Sequence, residues 1–291
     1  SLNEYQTLYE EFTGSPPSPP LPADAPSPPL PNEDGTALFP ADCGVTNVDP
    51  SEAIVGGDNT TAAAWPWQVV VVTRHVRCGG VLVSDRWVLT SAHCIGPDIV
   101  VYIGLQKIVE RLPTQDGIKV SKAVTHPQFK LTNQTVVNDI ALLKLSARLN
   151  ISDRVRPACL PSRDEEFTQN PLCFVTGFGE TVPVTSALQS SRLKLLKKLH
   201  VEVVYHRLCR YVMKLVKHVI TGSHLCVMSV AEGGSSCNGD SGGPLSCKVN
   251  GRYYVAGVTS YVIDNCLGVM PMVFTRVAHY KDWLIQELRR N

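Results

Sequence analysis

The chain has 291 residues, 44% hydrophobic and 18% charged, with a formal net charge of +1. That is enough apolar material to bury a sizeable core in one or two domains, which excludes a wholly disordered or fibrous chain. No apolar run is long enough to span a bilayer, and the balanced charge gives no reason to expect a nucleic-acid partner.

Residues 1–53 differ from the rest of the chain. They hold nine acidic residues and no Lys, Arg or His, which leaves 27 basic against 17 acidic residues, or +10, for the remainder. This predicts an acidic solvated tail beside a basic domain; a tail lying on the domain and shielding it is the alternative. Nine prolines fall within 15–31, as in Ser15-Pro16-Pro17-Ser18-Pro19-Pro20. So dense a set forms neither helix nor sheet, because proline lacks the donor and fixes φ. An extended linker is expected, then a polar stretch to about residue 42. The sequence starts at Ser1 with no basic-then-apolar leader, as in a processed or trimmed product, and an upstream region is not excluded.

From Ile54 the texture changes to short β-rich runs separated by turns. Examples are 68–72 (QVVVV), 80–83 (GVLV), 86–89 (RWVL), 99–103 (IVVYI) and 253–258 (YYVAGV). Many short strands at near-regular spacing predict an antiparallel barrel or sandwich. Val277, Tyr280, Trp283, Leu284 and Leu288 recur at intervals of three and four, predicting a terminal amphipathic helix. A second short helix is expected near Tyr205 to Lys217.

The ten cysteines are scattered rather than clustered with zinc-ligand spacing. They predict five disulfides and an oxidising compartment. Asn59, Asn133 and Asn150 open Asn-x-Ser/Thr sites and point the same way, to secretion.

The residues with chemistry begin with Thr90-Ser91-Ala92-His93-Cys94, a histidine in a small-residue turn directly after an apolar strand. The other seven histidines (75, 126, 200, 206, 218, 224 and 279) are expected to be structural or at the surface. Asp139, in Asn138-Asp139-Ile140-Ala141-Leu142-Leu143, opens an apolar strand and is placed to be buried. There it would accept the imidazole N–H and stabilise imidazolium. In Cys237-Asn238-Gly239-Asp240-Ser241-Gly242-Gly243-Pro244-Leu245, glycines let the backbone turn tightly around a serine. The N–H groups of Gly239 and Ser241 then converge on one point. A serine hydroxyl becomes a nucleophile when a base takes its proton and donors hold the resulting oxyanion.

With these motifs in His…Asp…Ser order, residues 43–291 resemble the chymotrypsin family of serine proteases. The resemblance implies an all-β fold of two six-stranded antiparallel barrels with the site between them. His93 and Asp139 would come from the first barrel and Ser241 from the second. Ile54-Val55-Gly56-Gly57 matches the family's activation motif. A cut between Ala53 and Ile54 would free an ammonium that pairs with Asp240 and forms the oxyanion hole, leaving residues 1–53 as an acidic, Pro-rich propeptide. The implied pairings are Cys78–Cys94, Cys173–Cys247, Cys209–Cys226 and Cys237–Cys266, with Cys43–Cys159 tethering the cut propeptide to domain 54–291. No cofactor or metal is implied, and Leu105 stands where calcium-binding relatives carry an acid. Protein substrates and protein protease inhibitors are the implied partners.

Specificity by resemblance rests on Ser235, where trypsin-like enzymes have aspartate. Val262 and Met272 occupy wall positions that are commonly glycine, as in elastases, and Ser260, Tyr261 and Val262 form the edge that pairs with substrate backbone. A shallow apolar pocket for Ala, Val, or Leu and Met is implied, although the gap before Cys266 leaves the register of Val262 open. Ala53 suits such a pocket, so self-activation is expected as well as activation by an elastase-like enzyme. The basic stretch 192–217 reads as solvated surface, with a sulfated glycan as the alternative partner. The competing function is a catalytically silent, protease-shaped binding or regulatory protein. Such a protein would be expected to lack a triad member, and none is missing here.

Overall fold

The computed structural model describes residues 40–48, 58–109, 112–167, 171–179, 193–231, 234–235, 240–263 and 267–291. Ala53, Ile54, Gly239, Cys237, Cys266 and Arg192 lie outside the described residues.

The first half contains β1 (Asp58–Asn59), β2 (Gln68–Val72), β3 (Arg77–Leu82), β4 (Trp87–Thr90), β5 (Val100–Ile103), β6 (Lys107–Val109), β7 (Ile118–Thr125), β8 (Lys130–Leu131), β9 (Val136–Val137) and β10 (Ala141–Leu145). Six of these close into an antiparallel barrel in the order β10-β4-β3-β2-β5-β7. β-Branched residues fit such a pleated surface, and all five residues of β2 are buried, its valines running without a polar break. β7 is nowhere fully buried, and over Ile118–Ser121 half-buried and exposed residues alternate, as in a strand with one wet face.

The second half contains β11 (Leu172–Gly177), β12 (Leu193–Leu195), β13 (Lys197–Val204), helix α1 (His206–Leu215), β14 (His224–Ser229), β15 (Pro244–Val249), β16 (Arg252–Tyr261), β17 (Met272–Arg276) and helix α2 (Lys281–Arg290). Here β13-β11-β15-β16-β17-β14 is closed by pairing of β14 with β13, a second six-stranded barrel. β1 pairs with the start of β13, Asp58 lying opposite Lys198. The chain thus has the two-barrel, chymotrypsin-like fold.

Helix α2 comes after the second barrel, yet its Leu284 and Leu288 pack into a cluster with Trp87, Leu89, Leu142 and Leu143 of the first. Their spacing of four puts both on one face. Burying each contributes about 1.5–3 kcal/mol, so this helix fastens the two halves together. Phe178 is also buried in that cluster.

Four disulfides join described residues: Cys43–Cys159, Cys78–Cys94, Cys173–Cys247 and Cys209–Cys226. The last anchors α1, whose Leu208, Cys209 and Met213 are buried, to β14.

One residue of the basic stretch leaves the surface. Lys198 is buried, its ammonium 5.6 Å above the Phe174 ring. Lys194 lies on β12 and Lys197 on β13, whereas Arg207, Arg210 and Lys214 are exposed on α1 and Lys217 comes just after it. Arg207, Arg210 and Lys214 recur at intervals of three and four and so share one exposed face of α1.

Candidate active site

Asp139 enters from the segment between β9 and β10. Asn138 before it has a left-handed backbone, with φ 54°, and its amide is held at both ends. Nδ2 donates to the Gln128 carbonyl at 2.8 Å, and Oδ1 accepts from the Tyr280 hydroxyl at 2.9 Å. This turn carries Asp139 inward until only 1% of it is exposed. A buried carboxylate must be supplied with donors. Three converge: the His93 backbone N–H on Oδ1 at 3.0 Å, and His93 Nδ1 at 2.8 Å and the Ser260 hydroxyl at 2.6 Å on Oδ2. The Thr275 hydroxyl also donates to the Asp139 carbonyl, at 2.8 Å.

His93 lies in a one-turn 3-10 helix, Ala92–Cys94, directly after β4. Its side chain keeps 28% exposure, enough to meet a substrate. Because a carboxylate only accepts, the His93 proton sits on Nδ1, which leaves Nε2 with a free lone pair facing away from the acid. That is the tautomer a general base needs. Cys78 and Cys94 flank this histidine, but their sulfurs are joined and offer no thiolate for a metal.

Ser241 comes from the turn before β15. Its carbonyl accepts the Gly79 N–H at 2.7 Å, and Gly79 is next to Cys78, the disulfide partner of Cys94. Gly242 has φ 77°, where a side chain is strained, and a Cβ there would lie 2.6 Å from the Gly79 carbonyl oxygen. The Gly242 N–H and the Ser91 hydroxyl both donate to the Thr259 carbonyl, at 2.8 and 2.7 Å. The turn of Ser241 and the helix of His93 therefore share one backbone oxygen of β16, and the next residue, Ser260, holds Asp139.

Asp240 is 8% exposed, and its Oδ1 accepts the Gly179 N–H at 2.8 Å. The carboxylate lies against Gly177 and Gly179 so closely that neither position has room for a Cβ.

The expected specificity residues divide between two clusters. Met272 is 1% exposed among Leu199, Leu225, Val227 and Phe274, and Val262 packs on the same group. Gly234, next to the half-buried Ser235, is pressed against Leu199 and Ser229. Tyr261 packs with Met213 and Ile220 beside α1, its ring 5.8 Å from His218 and 6.5 Å from His224. Burial pushes its phenol up to about 12. Asn59, Asn133 and Asn150 are all exposed.

The Trypsin family profile matches residues 54–284. The chain belongs to the trypsin family of serine proteases. A protein of Mus musculus named tryptase is 38% identical to it over 248 residues, spanning 80% of this chain and 88% of that one. As a trypsin-family protein it is a serine endopeptidase, and peptide or protein chains are its substrates. No helix among the described residues is long and apolar enough to cross a membrane.

In this trypsin-family site, local sequence points to the histidine, acid and serine but not to the groups that hold the acid. Thr275 and Tyr280 have no motif to mark them. Ser260 is expected on the edge that pairs with substrate backbone, and its hydroxyl bonds to Asp139. Their only signal is long-range, at sequence separations above one hundred residues.

Proposed function

We propose that the chain is a secreted endopeptidase made as a zymogen, with His93, Asp139 and Ser241 as its catalytic residues, that cuts after small or medium aliphatic residues. The observation that carries the triad is the doubly bonded His93–Asp139 pair, which fixes the base's tautomer. Ser241 Oγ attacks the scissile carbonyl carbon while Nε2 of His93 takes its proton, and Asp139 stabilises the imidazolium. The N–H groups of Gly239 and Ser241 receive the oxyanion. Collapse expels the amine, which takes the proton from His93, and water then attacks the acyl-enzyme by the same route.

Activation would result from cleavage between Ala53 and Ile54, the new ammonium pairing with Asp240. The acidic residues 1–53 are the propeptide, and 54–291 the protease domain. The tight seat of Asp240 against Gly177 and Gly179 supports a position with a demanding geometric role. Elastase-like specificity rests on Ser235, which supplies no carboxylate for Lys or Arg, and on Met272, whose side chain takes up space at the wall. The exposed asparagines and the disulfides support a secreted glycoprotein.

The test is processing at Ala53 and then cleavage of a peptide library. Preference for Ala, Val, Leu or Met before the cut is the expected outcome, and preference for Lys or Arg would overturn the pocket assignment. Equal processing of wild type and Ser241→Ala during purified incubation would exclude self-activation.

A further inference from the structure

Among the histidines outside the triad, His224 differs in being 3% exposed and bonded at both ring nitrogens. It opens β14 in the second barrel. The Thr221 N–H donates to its Nδ1 at 3.0 Å, so the ring proton sits on Nε2. That Nε2–H donates to the Val136 carbonyl at 2.6 Å. The Thr221 hydroxyl also lies 3.0 Å from Nδ1 and 2.7 Å from the Ser223 hydroxyl, so the whole turn is bonded into one group.

Val136 belongs to β9 of the first half, three residues before Asp139. The segment 136–139 is therefore gripped from the second half at successive points. His224 holds the Val136 carbonyl, Tyr280 holds Asn138, and Thr275, which sits opposite His224 in the β14–β17 pairing, holds the Asp139 carbonyl. Asn138 in its left-handed turn lies between these grips. A carboxylate that must orient an imidazole within a fraction of an ångström depends on the stiffness of the segment that bears it.

We propose that His224 is a positioning residue for catalysis, fastening the 136–139 segment so that Asp139 meets His93 in the reactive geometry. It touches neither substrate nor the reacting atoms, and it acts through the Val136 carbonyl. What it supplies is one donor and one acceptor on a rigid frame spanning Thr221 and Val136. Glutamine reproduces that pattern, its amide N–H facing Val136 and its amide oxygen facing Thr221; leucine fills similar space with neither. Burial lowers the imidazole pKa, which keeps the ring neutral and preserves this pattern at neutral pH.

The inference rests on the peptidase reading, and the experiment separates the two. Processed full-length wild type, His224→Leu and His224→Gln are titrated with a fluorophosphonate, and kcat and KM are measured per titrated site on one peptide substrate. The leucine variant is expected to lose about tenfold in kcat and equally in kcat/KM, the pattern of an interaction that acts in the transition state. Glutamine is expected to stay within about threefold of wild type. Should leucine fail to fold, His224→Asn takes its place, since its shorter amide cannot reach Thr221 and Val136 together, and the same loss is expected. A leucine or asparagine variant with unchanged kcat per site, or a glutamine variant as slow as leucine, overturns the positioning role while leaving the peptidase reading intact. A wild type that does not label overturns both.

Discussion

Replacing Gly179 with alanine tests how closely the serine turn is set. A Cβ on Gly179 would fall within 2.6 Å of Asp240 Oδ1, and nearer still to the rest of the carboxylate, whereas ordinary Cβ contacts lie at 3.4–4 Å. The carboxylate must then retreat by about 1 Å, a displacement that costs on the order of a hundredfold when it reaches reacting groups. It reaches them directly. Asp240 precedes Ser241, its own carbonyl accepts the Gly243 N–H at 2.8 Å, and the Ser241 carbonyl is held by Gly79. The bond from Gly179 N–H to Asp240 is also loosened, and such a charge-assisted bond contributes about 1.5–3 kcal/mol. Gly179→Ala is therefore expected to fold with all three triad residues present and to lose about two powers of ten in kcat/KM. Steady-state kinetics on processed enzyme, with fluorophosphonate labelling rates alongside, would measure it. A variant within threefold of wild type would show that the seat of Asp240 does not govern Ser241.

Three further outcomes are expected. Ser260→Ala removes one of three donors to the Asp139 carboxylate and should lower kcat about tenfold, with KM little changed. Stability should fall as pH drops below about 6.5: burial lowers the folded pKa of His224 against the opposing hydrogen bonds to Val136 and Thr221, so the unfolded chain takes up its proton first. His126, His200, His206 and His279 are lowered in the same sense, so His224→Gln should flatten the urea-denaturation midpoint against pH in part. After cleavage at Ala53, residues 1–53 should stay attached through Cys43–Cys159 and separate on a gel only with reductant.

How far the molecule can be read from its sequence depends on how local each signal is. β2 matches the QVVVV run residue for residue, because unbroken β-branched residues leave a buried strand little choice. The terminal helix read from the spacing of Val277, Tyr280, Trp283, Leu284 and Leu288 is present, but it begins at Lys281, and Val277–Tyr280 form a 3-10 turn before it. His93 and Asp139 stand out because each directly adjoins an apolar strand. What supports Asp139 does not stand out. Ser260, Thr275, Tyr280 and His224 reach it or its segment from elements assembled only when the barrels close, and an ordinary serine or threonine in a strand gives no hint of such a partner. Lys198 departs from the solvated reading of the basic stretch for a related reason: charge in one dimension carries no information about its turning inward beneath Phe174.

The claim on which the account depends is a serine made nucleophilic by an oriented imidazole. Intact-mass and peptide analysis of the processed enzyme after fluorophosphonate treatment tests it most directly. One adduct per chain, on Ser241, abolished by His93→Ala and strongly slowed by Asp139→Ala, is the predicted result; a processed enzyme that stays unmodified, or carries the adduct elsewhere, would contradict it.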